Sequence, residues 1–191
     1  MIASTYSRHI IIACITLFGF AACSKNSTAP DDGPEAKATL TVSGAVNGEK
    51  RGTAAVVSSE GGNMYTLDIS IHDGVSGPQT FSLSFMMASY DEPVDLPGTG
   101  DYTIGDNTGS WNGQGNFMPG EDFWAIYKVV NPDDYSTTQE FWTLEEGAGG
   151  TLTIEKLSGD YMQGTFKFTA EEPDFEGAGG GKISVEGEFT A

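Results

Sequence analysis

The sequence contains little cysteine and little histidine. Its 191 residues include only two of each. Two cysteines cannot supply a structural zinc site that is built from three or four thiolates. A structural zinc site of that kind is therefore excluded.

Positive charge is scarce as well. Nine Lys and Arg stand against 27 Asp and Glu, which gives a formal net charge of -18. Proteins that bind nucleic acid neutralise phosphates with clustered Lys and Arg, and proteins held electrostatically on anionic lipid need the same residues. We therefore expect no nucleic-acid partner and no electrostatic attachment to a membrane.

No apolar run is long enough to cross a bilayer. The longest begins at Ile10 and ends at Phe20, which is 11 residues, whereas a spanning helix needs about 20. Arg8 precedes this run, and the small residues Ala21 and Ala22 follow it. The order of a positive segment, an apolar segment and small residues is typical of a secretory signal, so residues 1–22 are predicted to be a signal peptide.

The sequence Phe20-Ala21-Ala22-Cys23 resembles the lipobox of bacterial lipoproteins, although Phe20 stands where Leu is usual. The resemblance implies cleavage before Cys23, a diacylglyceryl thioether on its sulfur and acylation of the new amino terminus with a chain such as palmitate. Two or three acyl chains attach a protein durably, whereas one does not. Ordinary signal cleavage after a small residue is the alternative.

The residues after Cys23 suggest where the protein is and how it is attached. Ser24 follows the cysteine, and by analogy with enteric lipoproteins, in which Asp at this place favours the inner membrane, we expect the outer membrane. Residues 23–36 contain no large apolar side chain after the cysteine and are predicted to form a flexible tether. Whether the protein faces the periplasm or the cell surface is left open.

From Lys37 onward, apolar and polar residues alternate with a period of two. Clusters of Gly, Asn, Asp and Pro separate the alternating runs, as turns between strands require. We therefore predict a single all-β domain over residues 37–191, with about nine or ten antiparallel strands folded as a β-sandwich; a flattened β-barrel is the second choice. Gly187 falls on the inner face of the last strand, where it would allow a neighbour to approach closely.

Three segments near the C-terminus carry a family resemblance. They are residues 150–157 (GTLTIEKL), 164–170 (GTFKFTA) and 183–189 (ISVEGEF), with VNG at 46–48 and DYTI at 101–104 upstream. This order resembles small all-β lipoproteins of uncharacterised function from the Bacteroidota. The resemblance implies secretion, lipidation and a β domain, and it supplies no catalytic residues.

The sequence offers little catalytic chemistry. His72 is the only histidine after the predicted signal; it is either a general base or metal ligand, or a polar residue at the end of a strand. We find no G-x-S-x-G, P-loop, G-x-G-x-x-G or H-E-x-x-H pattern. We therefore expect a non-catalytic protein, with a hydrolase that uses two carboxylates as an alternative.

Acidic turns suggest calcium as the alternative to having no cofactor. Asp106, Asp133 and Asp134 are the main candidates, because Ca²⁺ prefers oxygen ligands in flexible loops. None of them lies in an EF-hand pattern, and we favour the alternative that these acidic residues only keep the surface solvated.

Aromatic residues are concentrated between Tyr90 and Trp142, where all three tryptophans lie. Alternation places Trp124 and Trp142 on the strand faces opposite to Phe123 and Phe141. An exposed ring beside carboxylates would suit a polysaccharide, since a sugar has an apolar ring face and many hydroxyl groups. The candidate glycan-binding residues are Trp111, Trp124, Trp142, Glu121, Asp122 and Glu140. The alternatives are a second small core beneath the Gly-rich segment 91–122 and a surface for another envelope protein.

Overall fold

Twelve strands and one short 3-10 turn make up the regular structure of the residues that the structure describes. The computed structural model describes residues 35–61, 64–74, 79–89, 93–105, 110–111, 117–118, 123–144, 147–159, 161–173 and 180–191. The strands are β1 (Lys37–Gly44), β2 (Gly48–Gly61), β3 (Met64–His72), β4 (Phe81–Ser89), β5 (Gly100–Ile104), β6 (Ser110–Trp111), β7 (Phe117–Met118), β8 (Trp124–Val129), β9 (Gln139–Trp142), β10 (Gly149–Ser158), β11 (Tyr161–Glu171) and β12 (Lys182–Thr190). The predicted signal peptide lies outside the described residues.

Over much of their length, β1, β3, β4 and β11 bury every second side chain, as the sequence pattern predicted. The longest strand, β2, departs from the pattern, because only Ala54 is buried there. In β1, Ala38, Leu40 and Val42 are buried, while the intervening Thr39 and Thr41 are exposed. Successive side chains of a strand point to opposite faces, so one face of β1 lies against the core and the other against solvent.

Ten of the strands form one sheet that closes on itself. Their order is β12-β1-β2-β3-β4-β8-β9-β11-β10-β5, and β12 pairs with both β1 and β11. Eight strands, from β12 round to β11, therefore complete a ring, and β10 and β5 extend the sheet beyond β11. The all-β prediction is confirmed. The β-sandwich is wrong, and the second choice, a barrel, is the observed architecture.

The register of β12 shows how the ring closes. Glu188 lies opposite Thr39 of β1 on one side and opposite Thr165 of β11 on the other, so the last strand joins the first strand to the rest of the sheet. A period-two pattern predicts which side chains point inward, but a sandwich and a barrel produce the same pattern of inward-facing residues. Only the partners of the last strand distinguish them, which is why the sequence favoured the wrong one.

Side chains fill the interior of the barrel. Phe85 of β4 reaches across to β11, with its ring centroid 5.0 Å from that of Phe166 and 5.8 Å from that of Phe168. An eight-stranded barrel is just wide enough for its side chains to fill it. Gly187 makes room for this packing, because a Cβ there would come within 2.8 Å of Leu40 and of the Phe166 ring. The close approach predicted at Gly187 is confirmed.

Candidate binding surface

The outer side of β8 and β9 carries two of the three tryptophans. Phe123 and Tyr127 are fully buried, whereas Trp124 and Lys128 lie on the opposite face of β8 and are only partly buried. On β9, Phe141 is buried and Trp142 lies outward. The opposite placement of the rings predicted from alternation is confirmed. We call the outward residues Trp124, Ile126, Lys128, Glu140 and Trp142 the aromatic face.

Pairing of β8 with β9 brings the members of the aromatic face together. Trp142 lies opposite Ile126, and Glu140 lies opposite Lys128. The Lys128 ammonium is 2.6 Å from Glu140 Oε1, and Trp142 Nε1 donates a hydrogen bond of 3.1 Å to Glu140 Oε2. Both carboxylate oxygens are thus engaged, so Glu140 orients the Trp142 ring relative to Lys128.

Asp68 on β3 lies beside this face and was missed by the sequence analysis. It lies opposite Met86 of β4, which in turn lies opposite Trp124. Ser84 Oγ donates a hydrogen bond of 3.3 Å to Asp68 Oδ2, whereas the buried Oδ1 has no hydrogen-bond partner among the described residues. Burial raises the pKa of Asp68 to about 6, and the bond from Ser84 only partly offsets this. Outward strand positions are expected to be polar, so nothing in the pattern marked this carboxyl group as desolvated.

A second carboxylate, Asp73, holds the connection between β3 and β4. Its Oδ1 accepts hydrogen bonds from the backbone N–H of Thr80 at 2.8 Å and of Phe81 at 3.3 Å, and its Oδ2 accepts one from the Thr80 hydroxyl. Burial alone would raise the pKa of Asp73, but these bonds to the charged form lower it below its usual value. Asp73 is therefore bound to backbone and hydroxyl donors at the end of the barrel.

Tyr127 places a hydroxyl group inside the barrel. Its side chain is fully buried, and its hydroxyl oxygen has no hydrogen-bond partner among the described residues. Burial, together with the negative charge of Asp73, raises the pKa of Tyr127 to about 12. The hydroxyl therefore stays neutral at physiological pH.

His72, the candidate base, lies at the end of β3 and is partly buried on the outer side. It lies opposite Thr53 of β2 and Ser82 of β4 in the sheet register. These neighbours include no carboxylate that would orient the imidazole as a catalytic triad requires.

The calcium candidates Asp133 and Asp134 lie in the loop between β8 and β9. Asp134 Oδ1 accepts hydrogen bonds from the backbone N–H and the hydroxyl of Ser136, so this carboxylate caps the 3-10 turn Tyr135–Thr137. Within the described ranges, no group of three or more His, Cys, Asp or Glu side chains is arranged to hold a metal ion.

Several candidates cannot be placed. Cys23, Asp106, Glu121 and Asp122 lie outside the described residues. Trp111 belongs to β6, where its backbone pairs with Phe117 of β7, but its side chain is outside the description. The structure therefore brings together Trp124, Trp142 and Glu140 from the predicted set.

The opposite wall of the barrel is polar. Two shallow depressions of about 480 and 350 Å³ lie on the outer side of β1, β2, β10, β11 and β12, and Thr165, Glu186 and Gly187 border both. Lys167 pairs with Glu186 across this wall at 2.9 Å. Threonine and charged side chains surround the depressions, so this wall differs chemically from the aromatic face.

In the part of the chain that the structure describes, no helix is both long and apolar enough to cross a membrane. No family model, curated protein or solved structure matches this chain. The resemblance to Bacteroidota lipoproteins therefore stays a prediction.

Proposed function

We propose that this chain is a lipid-anchored lipoprotein of the bacterial outer membrane, with a non-catalytic binding or structural role. The observation that carries the proposal is the Phe20-Ala21-Ala22-Cys23 sequence at the end of the apolar segment. Acyl chains on Cys23 would hold the protein on the membrane, and residues 24–36 would link them to the barrel, whose first strand begins at Lys37.

The packing of the barrel supports a role for its outer surface. Leu67, Ile69 and Leu83 point inward with no exposed surface, and they belong to a core that also contains seven buried phenylalanine rings. Barrels that carry a small molecule keep a cavity between such side chains. We therefore assign binding or structural contacts to the outer walls and the loops.

Metabolic labelling with an alkyne analogue of palmitate tests the anchor. We expect the wild-type chain to be labelled and to sediment with membranes. Cys23→Ser should abolish the label and release the chain, while the matched control Cys14→Ser, within the predicted signal, should behave as wild type. An unlabelled wild-type chain in the soluble fraction would refute the anchor.

Glycan binding is the second candidate function, and the aromatic face favours it. Two indole rings and a carboxylate lie on adjacent strands of one outer wall, and sites for small ligands combine apolar surface with a few oriented polar groups. Titration of the intrinsic tryptophan fluorescence with soluble polysaccharides tests it. A shift or quenching that Trp142→Phe reduces would support this function, and an unchanged spectrum with every polysaccharide would contradict it.

A further inference from the structure

The second half of β2 has a neighbouring strand on one side only. β2 runs from Gly48 to Gly61, but β1 pairs with it only over Gly48–Gly52. From Thr53 onward β2 pairs with β3 on its other side, and among the described strands none pairs with the side of residues 53–61 that faces away from β3. We call this side the β2 edge. Such an edge presents backbone N–H and C=O groups that can bind another strand.

The hydrogen bonds of the neighbouring strands show which residues of β2 face this edge. In an antiparallel pair, opposite residues alternate between those that exchange hydrogen bonds and those that do not. The Val130 N–H donates to the Thr80 carbonyl, so even-numbered residues of β4 bond to β8 and odd-numbered ones bond to β3. Carried through the registers of β4, β3 and β2, this alternation directs the odd-numbered residues of β2 toward β3. The backbone groups of four residues therefore face the β2 edge: Ala54, Val56, Ser58 and Glu60.

The side chains along the β2 edge suit pairing with another strand. Glu60 is the only charged residue from Thr53 to Gly61, whereas natural edges are commonly protected by charged residues or proline. Val57 is 40% exposed, and Met64, which lies opposite Gly61 on β3, is 37% exposed. These are two of the four exposed large hydrophobic side chains among the described residues, so apolar surface accompanies the unpaired backbone.

The chain's own tether is poorly suited to cover this edge. The register of β1 with β2, continued toward the N-terminus, would bring Pro34 opposite Val56. Pro30 would fall opposite Glu60 in the same way. Both positions need a donor toward β2, and proline has no N–H. A strand from outside the chain therefore matches the β2 edge better than the tether does.

We propose that the β2 edge pairs with the β2 edge of a second copy of this chain, in an antiparallel arrangement centred on Val57. In this register Ala54 lies opposite Glu60 of the second copy, and Val56 lies opposite Ser58. Every backbone N–H and C=O group that faces the edge then has a partner. A shift by two residues in either direction would leave one of the four edge residues of each copy without a partner strand. The interface is isologous, as in most homodimers.

This register also suits the side chains. Glu60 lies opposite an alanine, and the two Glu60 carboxylates are separated by six residues of strand, about 20 Å, so like charges do not meet. The two Val57 side chains lie directly opposite each other on the outer face and remove each other's apolar surface from water. The strand is thus complementary to itself in hydrogen bonding, in charge and in apolar surface, which is why we choose a second copy as the partner.

Disulfide cross-linking tests the pairing and its register. In a parent chain that carries Cys14→Ser and Cys23→Ser, Val57→Cys supplies the only cysteine. Its two Cα atoms in the dimer would be about 4.5 Å apart, a distance that a disulfide spans. We expect mild oxidation to convert most of the purified chain into a covalent dimer on a non-reducing gel. Ser59→Cys is the matched control, because Ser59 is also exposed but would lie about 14 Å from its counterpart.

Ser58→Pro tests the same interface without a cysteine. The Ser58 N–H faces the β2 edge, so proline removes no bond to β3 but removes a donor from each copy. Sedimentation velocity in about 0.15 M salt, which screens charges beyond about 8 Å, should show a dimer of the parent chain. Ser58→Pro should weaken the dimer Kd at least tenfold, whereas Ser58→Ala should stay within about threefold. Circular dichroism checks that the variants keep the β fold.

Each outcome decides the inference. A monomeric parent chain overturns it. Equal cross-linking of Val57→Cys and Ser59→Cys overturns it as well, and so does a folded Ser58→Pro variant that dimerises like the parent, because the dimer would then use another surface. If Ser58→Pro does not fold, the two cysteine variants still decide. Both experiments use a chain without its native cysteines, so neither result depends on the proposed lipid anchor.

Discussion

The ring of Phe189 lies against Gly164, the residue opposite to it on the neighbouring strand β11. A Cβ on Gly164 would come within 2.9 Å of Phe189 Cε1 and closer still to the Thr153 carbonyl oxygen on β10. The absence of a side chain lets three strands approach at this point while an aromatic ring covers the glycine. Glycines covered by aromatic residues are a device by which curved sheets close.

Gly164→Ala should therefore destabilise the barrel. The added methyl group meets a backbone carbonyl, which cannot move without shifting a strand, and overpacking of this kind costs about 1–3 kcal/mol or more. Urea denaturation followed by tryptophan fluorescence measures the free energy of unfolding. Gly61→Ala is the control, because a Cβ there meets open space and its φ is not positive. Equal losses in the two variants would contradict this explanation.

Asp68→Asn should stabilise the protein in a pH-dependent way. The pKa of Asp68 is about 6 in the folded protein, above its ordinary value of 3.8, so folding favours the protonated form. That contribution is fully present below about pH 3.8 and is lost as the pH rises through 6. The variant should match wild type near pH 4 and exceed it near pH 7.5 by at most about 3 kcal/mol, at 1.36 kcal/mol per pKa unit. A difference that does not change between these pH values would show that the charge of Asp68 is not its cause.

Thr143→Val should lower the stability of the protein by removing one buried hydroxyl group. Thr143 follows β9, is fully buried, and its Oγ1 accepts a hydrogen bond of 2.8 Å from the backbone N–H of Ala125. Valine has the same shape but no acceptor, so it leaves a buried donor unsatisfied at a cost of about 1–3 kcal/mol. Thr143→Ser keeps the oxygen and should retain this bond. Thermal unfolding monitored by circular dichroism compares the variants, and a valine variant as stable as wild type would contradict the role of the bond.

The candidate site was predictable in part. Alternation was sufficient to place Trp124 and Trp142 outward, because β8 and β9 are regular strands with Tyr127 and Phe141 buried on the other face. The two tryptophans and Glu140 lie on one wall because β8 pairs with β9. That pairing follows from the short connection between the two strands. Asp68 comes to this wall through β3 and β4, from a distant part of the chain, and no local pattern indicated that it would be desolvated.

The exposure of Tyr135, which lies on the loop between β8 and β9 and is 66% exposed, shows the same division. The sequence placed it among the aromatic residues of the 90–142 region without distinguishing it from the others. Its exposure depends on the turn that Asp134 caps and on the absence of a packed element above that loop in the described residues. A side chain's exposure is set by everything that folds near it, so composition and spacing could not select it.

The sequence by itself determined most of the strand content and the inward and outward faces of regular strands such as β1 and β11, because a strand's side chains alternate whatever the sheet becomes. It also determined the charge of the surface, since acidic residues outnumber basic ones threefold. The tertiary structure decided that the sheet closes into a barrel, because β12 pairs with both β1 and β11, which lie far apart in the sequence. It likewise decided which polar groups are buried, since desolvation depends on contacts made only when distant strands meet.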